Sequence, residues 1–323
     1  MLKSLILNST GATDLKEVEQ IQELWSGYGA IKRFELRGSD IKSVVVKHVD
    51  IPSQASHPRG WNSNISHQRK IKSYKIEMAW YRDWSRHLDK RCKVPECFGL
   101  ESSKSDDFFL LILEDLDSAG FSKRKSSATI EEMKICLKWL ARFHATFLGK
   151  TPDKLWETGT YWHLDTRPDE LNALKDKDLK NAAKAIDQKL SDCPFKTFVH
   201  GDAKLANFCF SNDSKKVAAV DFQYVGGGCG MKDVAYFIGS CLDEKDCDKH
   251  EEELLSYYFD VFGNIVREKN KNFDANQVVD TWRELFSFAW ADFHRFIKGW
   301  SPGHWKINSY SETITRKAID NLD

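Results

Sequence analysis

Residues 198–223 open with Phe198-Val199-His200-Gly201-Asp202-Ala203-Lys204-Leu205-Ala206-Asn207-Phe208-Cys209-Phe210 and close with Val220-Asp221-Phe222-Gln223. Asn207 follows Asp202 by five positions, and Asp221 follows Asn207 by fourteen. The apolar runs Thr197-Phe198-Val199 and Phe208-Cys209-Phe210 read as short strands, and Val217-Ala218-Ala219-Val220 reads as another. A strand, a turn, a strand and a returning strand bring the three polar residues to one edge of a small sheet. A carboxylate, an amide oxygen and a second carboxylate form a hard, oxygen-only donor set, which suits Mg²⁺ carrying nucleotide phosphates. Such a set leaves one carboxylate free to orient an attacking hydroxyl. The competing reading is a β-hairpin with ordinary turn carboxylates.

Composition narrows the classes. The 323 residues suffice for two lobes and a sizeable core. The 48 basic and 48 acidic side chains cancel, which argues against a nucleic-acid or anionic-membrane partner. The eight cysteines include no C-x-x-C pair, and Cys136 and Cys241 sit in apolar runs where a buried free thiol is the simple reading. The apolar run at the N-terminus is too short for a signal peptide, and no window approaches a membrane span. A cytoplasmic protein without a membrane partner is expected.

The order catalytic-loop Asp, metal Asn, metal Asp is that of phosphoryl transfer in the kinase fold. Here the loop is His200-Gly201-Asp202, and the second acid stands in Asp221-Phe222-Gln223. That variant resembles the kinase-like small-molecule phosphotransferases: aminoglycoside phosphotransferases, choline kinases and, most closely, the ecdysteroid-kinase-like group. The resemblance implies an α+β, two-lobed protein-kinase-like fold, with an antiparallel sheet and one helix in the N-lobe and a larger, mainly helical C-lobe. It implies Asp202 as the catalytic residue, Asn207 and Asp221 as Mg²⁺ ligands and ATP as donor. Lys204 either touches the transferred phosphate or is solvated, and His200 reads as structural.

Upstream, Asp14 and Glu17 look like a helix start, with the helix running to about Trp25. Ser26-Gly27-Tyr28-Gly29-Ala30 then leads into a strand at 31–36, a turn at 37–40 and a strand at 41–49 carrying Lys47. This matches the phosphate-covering half of a kinase-like N-lobe, with Gly27 and Gly29 admitting backbone N–H groups to phosphate oxygens. The bland alternatives are a hairpin lead-in and a solvated lysine. Residues 50–70 read as a long polar loop, a lid or a surface insertion. A helix from about Ser66 to Leu88 carries Ile76, Trp80 and Trp84 on one face, and the resemblance assigns its Glu77 to pair with Lys47. Strands at 94–99 and 108–113 lead into a hinge near 114–118, where backbone groups of Glu114 and Leu116 are placed to meet adenine.

In the C-terminal half, a helix from Thr129 to about Leu148 holds His144, which reads as a packed core histidine. Residues 149–170 are irregular and aromatic, and a polar helix spans about 168–190. After Asp221, only eleven residues precede Asp233. That leaves no room for an activation segment ending in Ala-Pro-Glu, which argues for a small-molecule acceptor rather than a protein one. Asp233 reads as an N-cap or, by resemblance, as a support for the catalytic loop. Helices are expected over 249–269, 275–299 and 309–322. Trp290, Trp300 and Trp305, together with Asp233, are candidates for the acceptor side; clustered tryptophans form a box for an organic cation, hold a steroid-like or sugar ring, or close the core. The expected organisation is residues 1–115 as the nucleotide-binding lobe and 116–323 as the lobe holding the catalytic loop, metal site and acceptor pocket. The expected reaction is transfer of the γ-phosphate to a small-molecule hydroxyl; the rival is a non-catalytic nucleotide-binding or scaffold protein.

Overall fold

Why residues 41–50 become the middle of a sheet follows from their alternation. Val44 and Val46 point to one face, and Val45, Lys47 and Val49 to the other. The computed structural model describes residues 2–24, 27–51 and 63–322, with the side chains of 63 and 64 outside that set. Within these residues the chain divides into two compact units. The first comprises 1–86, 93–123 and 209–220, and the second 87–92, 124–208 and 221–323.

The first unit is built on a five-stranded antiparallel sheet in the order β1-β2-β3-β5-β4. Its strands are β1 (Asp14–Glu23), β2 (Gly29–Arg37), β3 (Ser43–Asp50), β4 (Cys97–Ser102) and β5 (Phe108–Glu114). One face carries Phe34, Leu36, Val44, Val46, Leu110 and Ile112, packed with Ile6 of helix α1 (Leu2–Thr10). The other face carries Lys47 and Phe109 toward α2 (Ser63–Ala79), where Tyr74 lies 5.8 Å from the Phe109 ring. The helix expected near 66–88 is present, but it widens into a π turn at Trp80–Trp84. A two-stranded hairpin, β7 (Phe208–Phe210) with β8 (Val217–Ala219), brings Cys209 and Ala218 against Leu116.

The helix expected from Asp14 to Trp25 is instead β1. Its residues favour helix locally, but pairing along β2 outweighs propensity. Lys32 meets Glu17, and Arg33 meets Glu19, across the two strands. The strand is an exposed edge, broken by two register shifts and lined with charge, the usual protection of an unpaired edge. Trp25, Ser26 and most of the 50–70 loop (52–62) lie outside the described residues.

The second unit is mainly helical. Helix α3 (Ile130–Phe147) starts at a capping box in which Thr129 Oγ1 accepts from Glu132 N–H and Glu132 returns the bond. Such a cap contributes about 1 kcal/mol. The single helix expected over 168–190 is two, α4 (Pro168–Ala173) and α5 (Lys177–Ser191), the second capped by Asp176. Helices α6 (Met231–Cys241), α7 (Glu244–Lys269), α8 (Ala275–Trp300) and α9 (Ser309–Asp320) complete it. Helix α8 is buried on nearly every side, including Trp282, Phe286, Ala289, Phe293 and Phe296. The run Gly226–Gly228 forms a further strand, β9, paired with β6 (Thr197–Val199).

All eight cysteines are free thiols, six of them buried. Among the described residues no helix is long and apolar enough to cross a membrane.

Candidate active site

The loop after β6 needs a backbone turn that only glycine makes easily. Gly201 has φ +80°, and a Cβ there would stand 2.1 Å from the Tyr224 carbonyl oxygen. That turn is anchored from below. Asp233, in the first turn of α6 and 0 % exposed, accepts from the His200 N–H at 2.5 Å and from the Gly201 N–H at 2.9 Å. Its carboxylate also takes the His144 Nε2 proton at 3.1 Å, while His144 Nδ1 lies 2.7 Å from the Tyr258 hydroxyl. Asp233 is therefore not the N-cap of α6, a position held by Gly230, and its carboxylate is spent on the loop rather than turned to an acceptor. His144 is the packed core histidine expected.

Asp202 follows at once, 6 % exposed. Its Oδ1 accepts from the Tyr236 hydroxyl at 3.2 Å. Its Oδ2 accepts from Asn207 Nδ2 at 3.0 Å and from Lys204 Nζ at 2.9 Å. Burial raises the Asp202 carboxyl above the ordinary value, Lys204 draws it back and Asp221 pushes it up again. The Asn207 amide nitrogen also donates to the Asp202 carbonyl at 2.7 Å. Both bonds use the amide nitrogen. Asp221 sits at φ +68°, a left-handed conformation that costs a non-glycine residue about 1–2 kcal/mol. Such strain recurs where a side chain is aimed for function. His200 packs 4.6 Å from the Phe222 ring and takes the Asp202 N–H on Nδ1. Gln223 gives its carbonyl to Trp156 Nε1 at 2.8 Å. Asp202, Asn207 and Asp221 thus belong to one unit, and the Asp202 carboxylate is ringed by donors.

Tyr236 was not singled out in the sequence. The signal was present: it lies three residues after Asp233, on the same helix face. Lys204 is ion-paired rather than merely solvated.

In the first unit Lys47 and Glu77 form an ion pair at 2.6 Å, with side chains only 5 % and 2 % exposed. β3 and α2 bring them together as expected. Among the described residues nothing stands within 4 Å of where a Cβ on Gly27 would lie, whereas a Cβ on Gly29 would stand 2.1 Å from the His48 carbonyl oxygen, so sheet packing alone demands glycine at 29. The Glu114 N–H is given to the Glu96 carbonyl, and the Leu116 carbonyl accepts from Phe121 N–H, so each uses one backbone group inside the unit. Among the described residues no group of three or more His, Cys, Asp or Glu is placed to hold a metal.

Trp290 and Trp305 line one small cavity, and Trp300 is not part of that lining. Trp290 is buried and donates to Ser311 Oγ at 3.2 Å, Trp300 stacks on Phe296 at 6.0 Å, and Trp305 is 55 % exposed.

Comparison with known proteins gives a consistent placement. The family model described as the ecdysteroid kinase-like family matches residues 65–151 and 154–270. No curated protein matches in sequence. Amicoumacin kinase hAmiN, solved with AMP-PNP, Ca²⁺ and Ami, is 13 % identical, with 95 % of this chain and 87 % of that one covered at a TM-score of 0.52. The GDP complex of aminoglycoside 2'-phosphotransferase-IIIa is 10 % identical, with 100 % and 98 % covered at 0.51. Choline kinase from Streptococcus pneumoniae is 12 % identical, with 99 % and 97 % covered at 0.49. At these identities the first two establish a shared fold.

Proposed function

The chain belongs to the ecdysteroid kinase-like family, and on that footing we propose that it transfers the γ-phosphoryl group of ATP to a hydroxyl of a small molecule, with Mg²⁺. The observation that carries this reading is the Asp202 carboxylate, buried yet given hydrogen bonds by Lys204, Asn207 and Tyr236. Phosphoryl transfer needs an oriented hydroxyl more than a strong base. Asp202 is the residue to accept that hydroxyl's proton and fix its line of approach.

The Asn207 amide oxygen and the Asp221 carboxylate form a hard donor pair suited to Mg²⁺. When bound, the ion would offset charge on the phosphate oxygens. Lys47, oriented by Glu77, is the cation for the nucleotide phosphates, with Gly27 and Gly29 beside the same strand pair. Glu114 and Leu116 are assigned to the adenine contact through their remaining backbone groups. The short path from Asp221 through β9 to α6 supports a small-molecule acceptor over a protein one.

The test is phosphate transfer from ATP, detected by product mass, against choline, ethanolamine, amino sugars, sterols and nucleosides. Product is expected with Mg²⁺ and absent after chelation with EDTA. Asp221→Ala should weaken nucleotide binding in Mg²⁺ by about tenfold or more, a loss of about 1.4 kcal/mol per decade. A chain that binds nucleotide but yields no product with any acceptor would favour the non-catalytic reading. One that binds no nucleotide sinks both readings.

A further inference from the structure

The aromatic side chains of the second unit do assemble a box, and the chain fills it with its own ammonium group. Lys306, between α8 and α9, holds Nζ 4.8 Å from the Tyr236 ring centroid, 5.2 Å from Phe293 and 5.6 Å from Trp305. All three distances lie within cation–π reach, about 6 Å. The residue is pinned at both ends of its backbone. Its N–H donates to His304 Nδ1 at 3.2 Å, and its carbonyl accepts from Ser311 Oγ at 2.9 Å. Trp305, the outer wall, is 55 % exposed, so the box has a face to solvent. A cavity beside it, lined by Trp290, Phe293, Trp305 and Lys306, measures about 10 Å³. That is room for about one water molecule and for no organic cation beside the lysine.

Tyr236 ties the box to the candidate catalytic carboxylate. Its ring forms one wall, and its hydroxyl donates to Asp202 Oδ1 at 3.2 Å. Among the described residues Lys306 forms no ion pair. Burial brings its ammonium down to about 8, with Cys241 and Asp202 drawing it up and Lys204 pushing it further down. At neutral pH it remains mainly protonated. A second cation entering the same box would meet a fixed like charge and find the ring faces already used.

We infer that Lys306 is a specificity-determining residue, a resident cation that closes the aromatic box to organic cations and restricts the acceptor to hydroxyl compounds without a positive charge near the reacting oxygen. This rests on the reading of Asp202 as the residue that faces the acceptor. The box itself is open to test without turnover.

The experiment is isothermal calorimetry of the full chain with tetramethylammonium chloride, against sodium chloride at equal ionic strength. Wild type should show no binding, and Lys306→Met should bind at least tenfold more tightly. Lys306→Arg should exclude the ion as wild type does. Adding Trp305→Ala to Lys306→Met should abolish the gain. If Lys306→Met fails to fold, Lys306→Gln replaces it with the same expectation. Equal binding by wild type and variant overturns the inference, as does a variant that melts like wild type and binds nothing. Under turnover, Lys306→Met should raise kcat/KM for choline at least tenfold relative to wild type. A wild type that excludes tetramethylammonium but transfers phosphate to no hydroxyl compound overturns the phosphotransferase reading, not the occupied box.

Discussion

Asp202→Ala is expected to abolish most phosphate transfer, with a loss of about 10²–10⁴-fold in kcat, and to leave nucleotide affinity essentially unchanged. The local structure explains why the fold should survive the change. Lys204, its ion-pair partner, has a side chain 40 % exposed and relaxes into water. Asn207 keeps its bond to the residue-202 carbonyl, and Tyr236 keeps its neighbour Tyr161, whose hydroxyl is 3.2 Å away. What disappears is the oxygen proposed to orient the attacking hydroxyl. A group acting only in the transition state lowers kcat and kcat/KM together, so a steady-state comparison with a parallel nucleotide titration decides the point. Equal turnover in wild type and variant would remove Asp202 from the reaction.

Asp233→Ala has its effect on stability instead. Its carboxylate is the acceptor for the His200 and Gly201 N–H groups and for His144 Nε2, all in the interior. Each buried donor left without an acceptor costs about 1–3 kcal/mol, so the substitution should destabilise the chain by at least about 3 kcal/mol. That is a large share of the roughly 5–15 kcal/mol by which proteins are stable. Asp233→Asn retains one acceptor oxygen and should lose markedly less. Urea unfolding of the two variants gives the comparison. Identical losses would mean that cavity and packing, not the backbone bonds, set the cost.

The reason the central motif was legible in the sequence is that its residues act at short separation. His200 to Asn207 lie on one loop, so spacing alone fixes their meeting. The Lys47–Glu77 pair was legible for another reason: periodicity places each on its element, and the family resemblance, not the pattern, pairs the strand lysine with the helix glutamate. The failures lie where contacts between distant segments outweighed local preference. Asp14–Glu23 is helix-forming by composition and a strand by pairing with β2. The glycine run 226–228 has no strand signal, yet its bareness admits Trp156, whose carbonyl would lie 2.2 Å from a Cβ on Gly226. Asp233 was placed at a helix start from its position, but its partners are thirty-two and thirty-three residues away. The tryptophans drew attention to an aromatic box. A lysine in a polar connecting segment gave no sign that it would be the occupant.

The thiols give the molecule a second use. Cys97 and Cys209 belong to the first unit, and Cys92, Cys136, Cys193, Cys229, Cys241 and Cys247 to the second. With six of the eight shielded and none tied in a disulfide, a thiol-specific reagent gains access to those six mainly through opening of the surrounding structure. The chain thus carries built-in clocks for its own breathing, one set in each unit. Mass spectrometry after pulse alkylation would time the two separately, with no engineered label.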